Sequence, residues 1–157
     1  MNTNRRSFLK SSAAASAMGV AISAGLITPR IVLASAWPKA AFEATSVDAA
    51  LSAAFGGAAI ADSSDIKLKV PDIAENGAVV PVKATSNIAG TESISFLVAK
   101  NNTPLTASFI LSNRTAGFAG TRIKMSKTSD VIAVVKAKGK YYKTKAEVKV
   151  TIGGCGG

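Results

Sequence analysis

Ile66-Lys67-Leu68-Lys69-Val70-Pro71-Asp72 alternates apolar and cationic side chains before a turn, and a period of two is what a strand with one buried face requires. The period recurs in Val80, Val82 and Ala84, after Pro71-Asp72 and Glu75-Asn76-Gly77, so the two segments predict a hairpin. Further short runs rich in Val, Ile and Thr lie at 94–100, 105–111, 119–125, 131–137 and 141–152. Turn residues separate them at 87–90, Asn101-Asn102, 113–117, Ser129-Asp130 and Lys138-Gly139. About seven strands at this spacing predict an all-β fold, an immunoglobulin-like antiparallel β-sandwich, with a small closed barrel as the alternative. Paired cysteines around a buried Trp are missing, so strand count carries the reading.

Upstream of these strands the spacing is helical. Val47, Leu51 and Phe55 recur every fourth residue with alanines between, predicting one short helix within 42–55. Ser46 is placed to cap its N-terminus, Asp48 complements the dipole in the first turn, and Gly56-Gly57 supplies the stop.

The chain begins as an export signal. Asn4-Arg5-Arg6-Ser7-Phe8-Leu9-Lys10 resembles the twin-arginine translocation motif, with Asn4 where Ser or Thr is usual. An uncharged stretch rich in Ala, Ser and Gly comes next, and Ala34-Ser35-Ala36 offers a small-x-small cleavage site. Ser11, Ser12, Ser16 and Ser23 dilute the stretch, which suits a transient signal better than a permanent membrane anchor. The expected organisation is a cleaved signal over 1–36, a sandwich domain over 37–152 and an arm over 153–157, the product being periplasmic. Losing Arg5, Arg6, Lys10 and Arg30 with the signal takes the formal charge from +10 to +6. The twin-arginine route moves folded cargo, and with no cofactor site in view, a folded partner carried on the same signal accounts for its use as well as fast folding does.

Composition removes several chemistries. There is no His and one Cys, Cys155, so a four-ligand zinc site, c-type haem attachment and His-dependent nucleophilic triads cannot be built. Gly-rich phosphate loops are also absent, and no metal or cofactor is expected in this chain. Lys136, Lys138, Lys140, Lys143 and Lys145 form a basic stretch that could guide anions or an acidic partner, but hairpin lysines are more often solvation and edge protection. With few aromatics and an export signal, nucleic-acid binding is not expected. Tyr141 and Tyr142 read as a cross-strand packing pair.

The last predicted strand alternates Ala146, Val148, Val150 and Ile152 against Glu147, Lys149 and Thr151, and then the pattern stops at Gly153-Gly154-Cys155-Gly156-Gly157. These five residues have no apolar side chain to bury and are expected to form a flexible arm. A lone Cys in an oxidising compartment raises intermolecular pairing or a reactive thiol, since it has no internal partner. Glycines let the backbone pass a narrow channel, and five residues reach roughly 17 Å when extended. No cation adjoins Cys155 in sequence to favour its thiolate, so activation is expected from a receiving partner and the chain itself is not a complete enzyme.

Val148-Lys149-Val150-Thr151-Ile152-Gly153-Gly154-Cys155-Gly156-Gly157 resembles the C-terminus of the SoxY family of sulfur-oxidation carriers, and the twin-arginine leader, the early helix and the 66–85 strand pair fit it as well. The resemblance implies a sandwich paired as a heterodimer with a SoxZ-like sandwich subunit that lacks its own export signal. It implies Cys155 as the covalent sulfur attachment site and Gly153, Gly154, Gly156 and Gly157 as the arm. It implies as further partners a haem-containing enzyme that joins the thiol to thiosulfate as a cysteine S-thiosulfonate, a sulfate-releasing hydrolase and, in hosts that have one, a molybdenum-haem sulfane dehydrogenase. The haem and molybdenum then belong to the partners, and Cys155 cycles through persulfide and sulfonated forms. A disulfide-linked structural or adhesive sandwich is the alternative, although it gives no reason for four glycines. A thiocarboxylate carrier ending in diglycine fits less well, because its activation needs ATP and a central β-grasp helix.

Overall fold

A computed structural model describes residues 38–112 and 114–151. Two sheets face each other. One holds β2 (Ile66–Lys69), β4 (Val80–Ser86) and β7 (Phe118–Ile123) in the order β2-β4-β7. The other runs β1-β9-β8-β5-β6, built from β1 (Ile60–Asp62), β9 (Lys140–Val150), β8 (Ser129–Ala137), β5 (Thr91–Val98) and β6 (Leu105–Ile110). The chain crosses between sheets from β4 to β5, from β6 to β7 and from β7 to β8, the Greek-key winding of an immunoglobulin-like sandwich.

All seven predicted strands are present, and the predicted hairpin is the antiparallel β2–β4 pair with Leu68 opposite Ala84. Its connection is longer than a turn, because it contains β3 (Ile73–Ala74) and a 3-10 turn (Gly77–Val79). Both β1 and β3 pair in parallel with β9, so the sandwich is not wholly antiparallel. At three and two residues, these strands are too short to show a period of their own.

The centre of the larger, six-stranded sheet is covered on both faces, and β8 shows how the sequence achieves this. Val131, Ala133, Val135 and Ala137 point toward the opposing sheet, where they join Ile94, Phe96, Val80 and Val82 in the main core. Ile132 and Val134 point the other way, where they meet Leu97, Leu105 and the N-terminal helices. Phe96 packs edge-on against Phe109, with ring centroids 6.2 Å apart. Tyr141 and Tyr142 are not a packing pair, because adjacent strand residues point to opposite faces. Tyr142 joins the sandwich core, while Tyr141 packs at a 45° tilt against Phe55, ring centroids 4.9 Å apart, beneath the helices.

The predicted helix is α2 (Val47–Phe55), and a further helix, α1 (Lys39–Glu43), precedes it. The break falls at Ser46, whose extended backbone (φ −133°, ψ 155°) is the geometry an N-cap needs and a helix interior forbids. Its Oγ accepts from the Ala49 N–H at 3.2 Å, and Asp48 sits in the first turn as expected. Gly56 ends α2 in the left-handed region (φ 67°), donating to the Ser52 carbonyl at 2.8 Å.

Candidate functional site

The described part of the site is the base from which residues 152–157 depart. β9 is the longest strand, and the last stretch of its backbone is held from two sides. On one side, the Lys149 N–H donates to the Asp72 carbonyl at 3.0 Å and the Thr151 N–H to the Ala74 carbonyl at 3.2 Å, which is the β3 pairing. On the other, the Val150 N–H donates to Thr128 Oγ1 at 3.0 Å. Val148 is fully buried, and Val150 packs at the margin of the core. Gly77 lies so close to the Met125 carbonyl and to Val150 Cγ1 that a Cβ there would collide with both. That glycine is required by close approach, and it lets the 3-10 turn brace the end of β9. Met125, the one methionine left after the signal, is fully buried beneath this corner.

Cys155, Gly153, Gly154, Gly156 and Gly157 lie outside the described residues, as do Arg5 and Arg6 of the export motif. Cys155 comes four residues after Thr151, which puts its backbone within about 14 Å of a fixed anchor. Among the described residues, no cluster of His, Cys, Asp or Glu could hold a metal ion, and no helix is long and apolar enough to cross a membrane. No described side-chain polar atom is buried without a hydrogen-bond partner.

The basic hairpin singled out from the sequence is partly neutralised by ion pairs. Lys136 Nζ meets Glu92 Oε2 at 2.9 Å, and Lys145 Nζ meets Asp130 Oδ2 at 2.9 Å. Hydrogen bonding to Glu92 raises the Lys136 pKa, and hydrogen bonding to Asp130 raises that of Lys145. Lys138 and Gly139 form the two-residue turn between β8 and β9, both with positive φ, 49° and 72°. Solvation, ion pairing and turn formation therefore account for much of this stretch.

A second cationic surface escaped the sequence reading. Lys67, Lys69, Lys83 and Arg122 are all exposed on the outer face of the β2-β4-β7 sheet. The signal was present in the alternation of Ile66 to Lys69, which served only to mark the strand. That Lys83 and Arg122 share its face depends on the pairing of three strands distant in sequence.

An exported two-layer sandwich whose single thiol lies just beyond a clamped terminal strand has the form of a carrier domain. The profile of the family described as sulfur oxidation protein SoxY matches residues 51–155, a span that ends on Cys155. The chain belongs to the SoxY family. The profile of the twin-arginine translocation signal matches residues 2–21, and the protein is exported by that route to the periplasm. Among solved structures, the sulfur carrier protein SoxY from Chlorobium limicola f thiosulfatophilum is 43% identical, covering 67% of this chain and 96% of its own, with a TM-score of 0.61. A structure of the bacterial superantigen toxic shock syndrome toxin-1 is 9% identical over 55% of this chain and 98% of its own, with a TM-score of 0.41. A search of curated proteins gave no match.

Proposed function

We propose that this protein is a periplasmic sulfur carrier that holds sulfur intermediates as covalent adducts of the Cys155 thiol and presents them to partner enzymes. The observation that carries the reading is the family match running through to Cys155, the one thiol of a chain that belongs to SoxY. Support comes also from the related sulfur carrier, whose match covers nearly its whole length. In this reading the mature protein starts after Ala36, residues 37–152 are the body, and Gly153, Gly154, Gly156 and Gly157 form the arm around the thiol.

The chemistry balances with the oxidant in a partner. Joining the Cys155 thiol to thiosulfate forms an S–S bond and releases one proton and two electrons, which pass to the haem of the conjugating enzyme. Water then cleaves the terminal sulfonate, giving sulfate, two protons and the cysteine persulfide anion. The thiolate needs an external cation or base, since no charged side chain flanks Cys155 in sequence. This chain is thus the carrier and not the enzyme, travelling with a SoxZ-like subunit, and haem and molybdenum belong to its partners.

The test is the intact mass of protein purified from cells growing on thiosulfate, before and after reductant, with Cys155→Ser as control. Reductant-sensitive sulfur or thiosulfonate additions on the wild type, and none on the variant, are the expected result. A thiol that is only free, or only joined to a second copy, would overturn the reading in favour of a disulfide-linked structural sandwich.

A further inference from the structure

We infer that the outer face of the β2-β4-β7 sheet is the docking surface on which this carrier meets an acidic face of the partner protein that receives its arm. The inference rests on the carrier reading. Its physical basis is a cationic face of one sign. The outward positions of the three strands bear Lys67, Lys69, Lys83 and Arg122, with no carboxylate among them. Lys69 stands directly opposite Lys83 across the β2–β4 pair. Like charges in that position oppose pairing. Among the described residues none of the four has an ion-pair partner, whereas Lys39, Lys136 and Lys145 do.

The surface between the two lysines is also shaped. A depression of about 280 Å3 is lined by Val70, Pro71 and Pro81 between Lys69 and Lys83. Beside it, Gly120 leaves room for the Lys83 stem, since a Cβ there would sit 3.3 Å from Lys83 Cγ and 3.3 Å from the Phe118 ring. An apolar floor with cationic rims fits a carboxylate-bearing surface better than open water alone would require.

Position ties the face to the arm. Gly77, just before β4, touches Val150 and accepts the Met125 N–H, so the start of β4 and the end of β7 adjoin the exit of β9. Pro81 pairs with Arg122 at that end, and Lys69 lies three residues before Asp72, whose carbonyl holds Lys149. A partner that takes Cys155 into a recess must press its rim near Thr151, because the connecting chain spans only about 14 Å. A second copy seated by twofold symmetry would place cations on cations, which excludes this face as its own complement. Three strands about 4.8 Å apart give a footprint of a few hundred Å2, the size of a transient contact. A carrier that must leave each enzyme in turn needs such a contact, quick to form and sensitive to salt.

Zero-length carbodiimide coupling, which joins lysine amines to carboxylates in contact, tests this in the periplasmic extract of thiosulfate-grown cells. The expected products join Lys67, Lys69 or Lys83 to Asp or Glu of a haem-bearing protein, read by haem absorbance of the linked species. Their yield should fall at least tenfold between about 20 mM and about 500 mM salt. The variant Lys69→Glu/Lys83→Glu/Arg122→Glu should lose the same partner at Lys67, while Lys100→Glu/Lys140→Glu should keep it. If the reversal variant unfolds, Lys69→Gln/Lys83→Gln serves, with an equal urea midpoint required. Links only from lysines elsewhere, links to a second copy, links only to a co-purifying sandwich subunit, or binding to phosphatidylglycerol vesicles with no protein link would each overturn the inference. The intact mass of Cys155 in the same sample separates the two readings. An adduct without links sinks the docking face alone, and links without an adduct sink the carrier reading and with it the receipt of an arm at this face.

Discussion

Glu92 ties together parts of the chain that lie far apart in sequence. One carboxylate oxygen takes Lys136 Nζ at 2.9 Å, and the other accepts the Gly139 N–H at 3.0 Å, fixing the β8–β9 turn to β5. The Lys136 hydrogen bond first, and the Gly139 N–H second, hold the Glu92 carboxyl below its ordinary value of 4.5. A lowered carboxylate pKa means the contribution is present above the unfolded value and is lost as pH falls through the folded one. Lys136 is raised above 10.5, so its share is complete below that pH and fades as pH rises through its folded value. Glu92→Gln should therefore lower the urea midpoint slightly at pH 7. The difference from wild type should vanish well below pH 4.5 and shrink in high salt, because both side chains are exposed to solvent. A difference that persists in acid would mean the carboxylate acts through packing or the Gly139 bond alone.

Elements, in contrast, are held by what they bury. The N-terminal helices cover the face of the large sheet that the small sheet leaves open, with Leu97, Leu105 and Val134 beneath them. Leu97 is fully buried there, so Leu97→Ala should destabilise the fold by about 2–5 kcal/mol, read from the urea midpoint. A loss well under that range would show the helices settling into the cavity. Much of this layer was legible in the sequence. The Val47, Leu51 and Phe55 spacing marked α2, and Ser46 and Gly56 marked its ends. The extra helix α1 was not legible, because five residues hold little more than one turn and Pro38 at its N-cap makes no side-chain hydrogen bond. Strands with one exposed face, such as β2 and β4, announced themselves by alternation, whereas β3 exists only because the end of β9 passes beside it. The same limit hid the basic face. Each lysine was visible, but the register that sets Lys69 against Lys83 is a property of the pairing.

For the whole molecule, the proposed division of work is between a body and an arm, and it rests on the point in the sequence where the alternation of β9 gives way to glycine. The main core gathers residues from Ile66 to Val148, with Val150 packed against it, and its largest buried side chain is Phe96. Among the described residues, the backbone N–H groups at the end of β9, from Lys149 to Thr151, donate to Asp72, Thr128 and Ala74. In the proposed division, stability draws on residues up to the anchor and the chemistry on the residues beyond it. Ending the mature chain after Ile152 should leave the urea midpoint and its slope unchanged within error, since m reflects the surface exposed on unfolding. The same truncation should abolish sulfur loading as completely as Cys155→Ser does. A truncated body that unfolds at lower urea would show that residues 153–157 pack against it, and the sulfur would then be held on the body, without a free-swinging arm to hand it on.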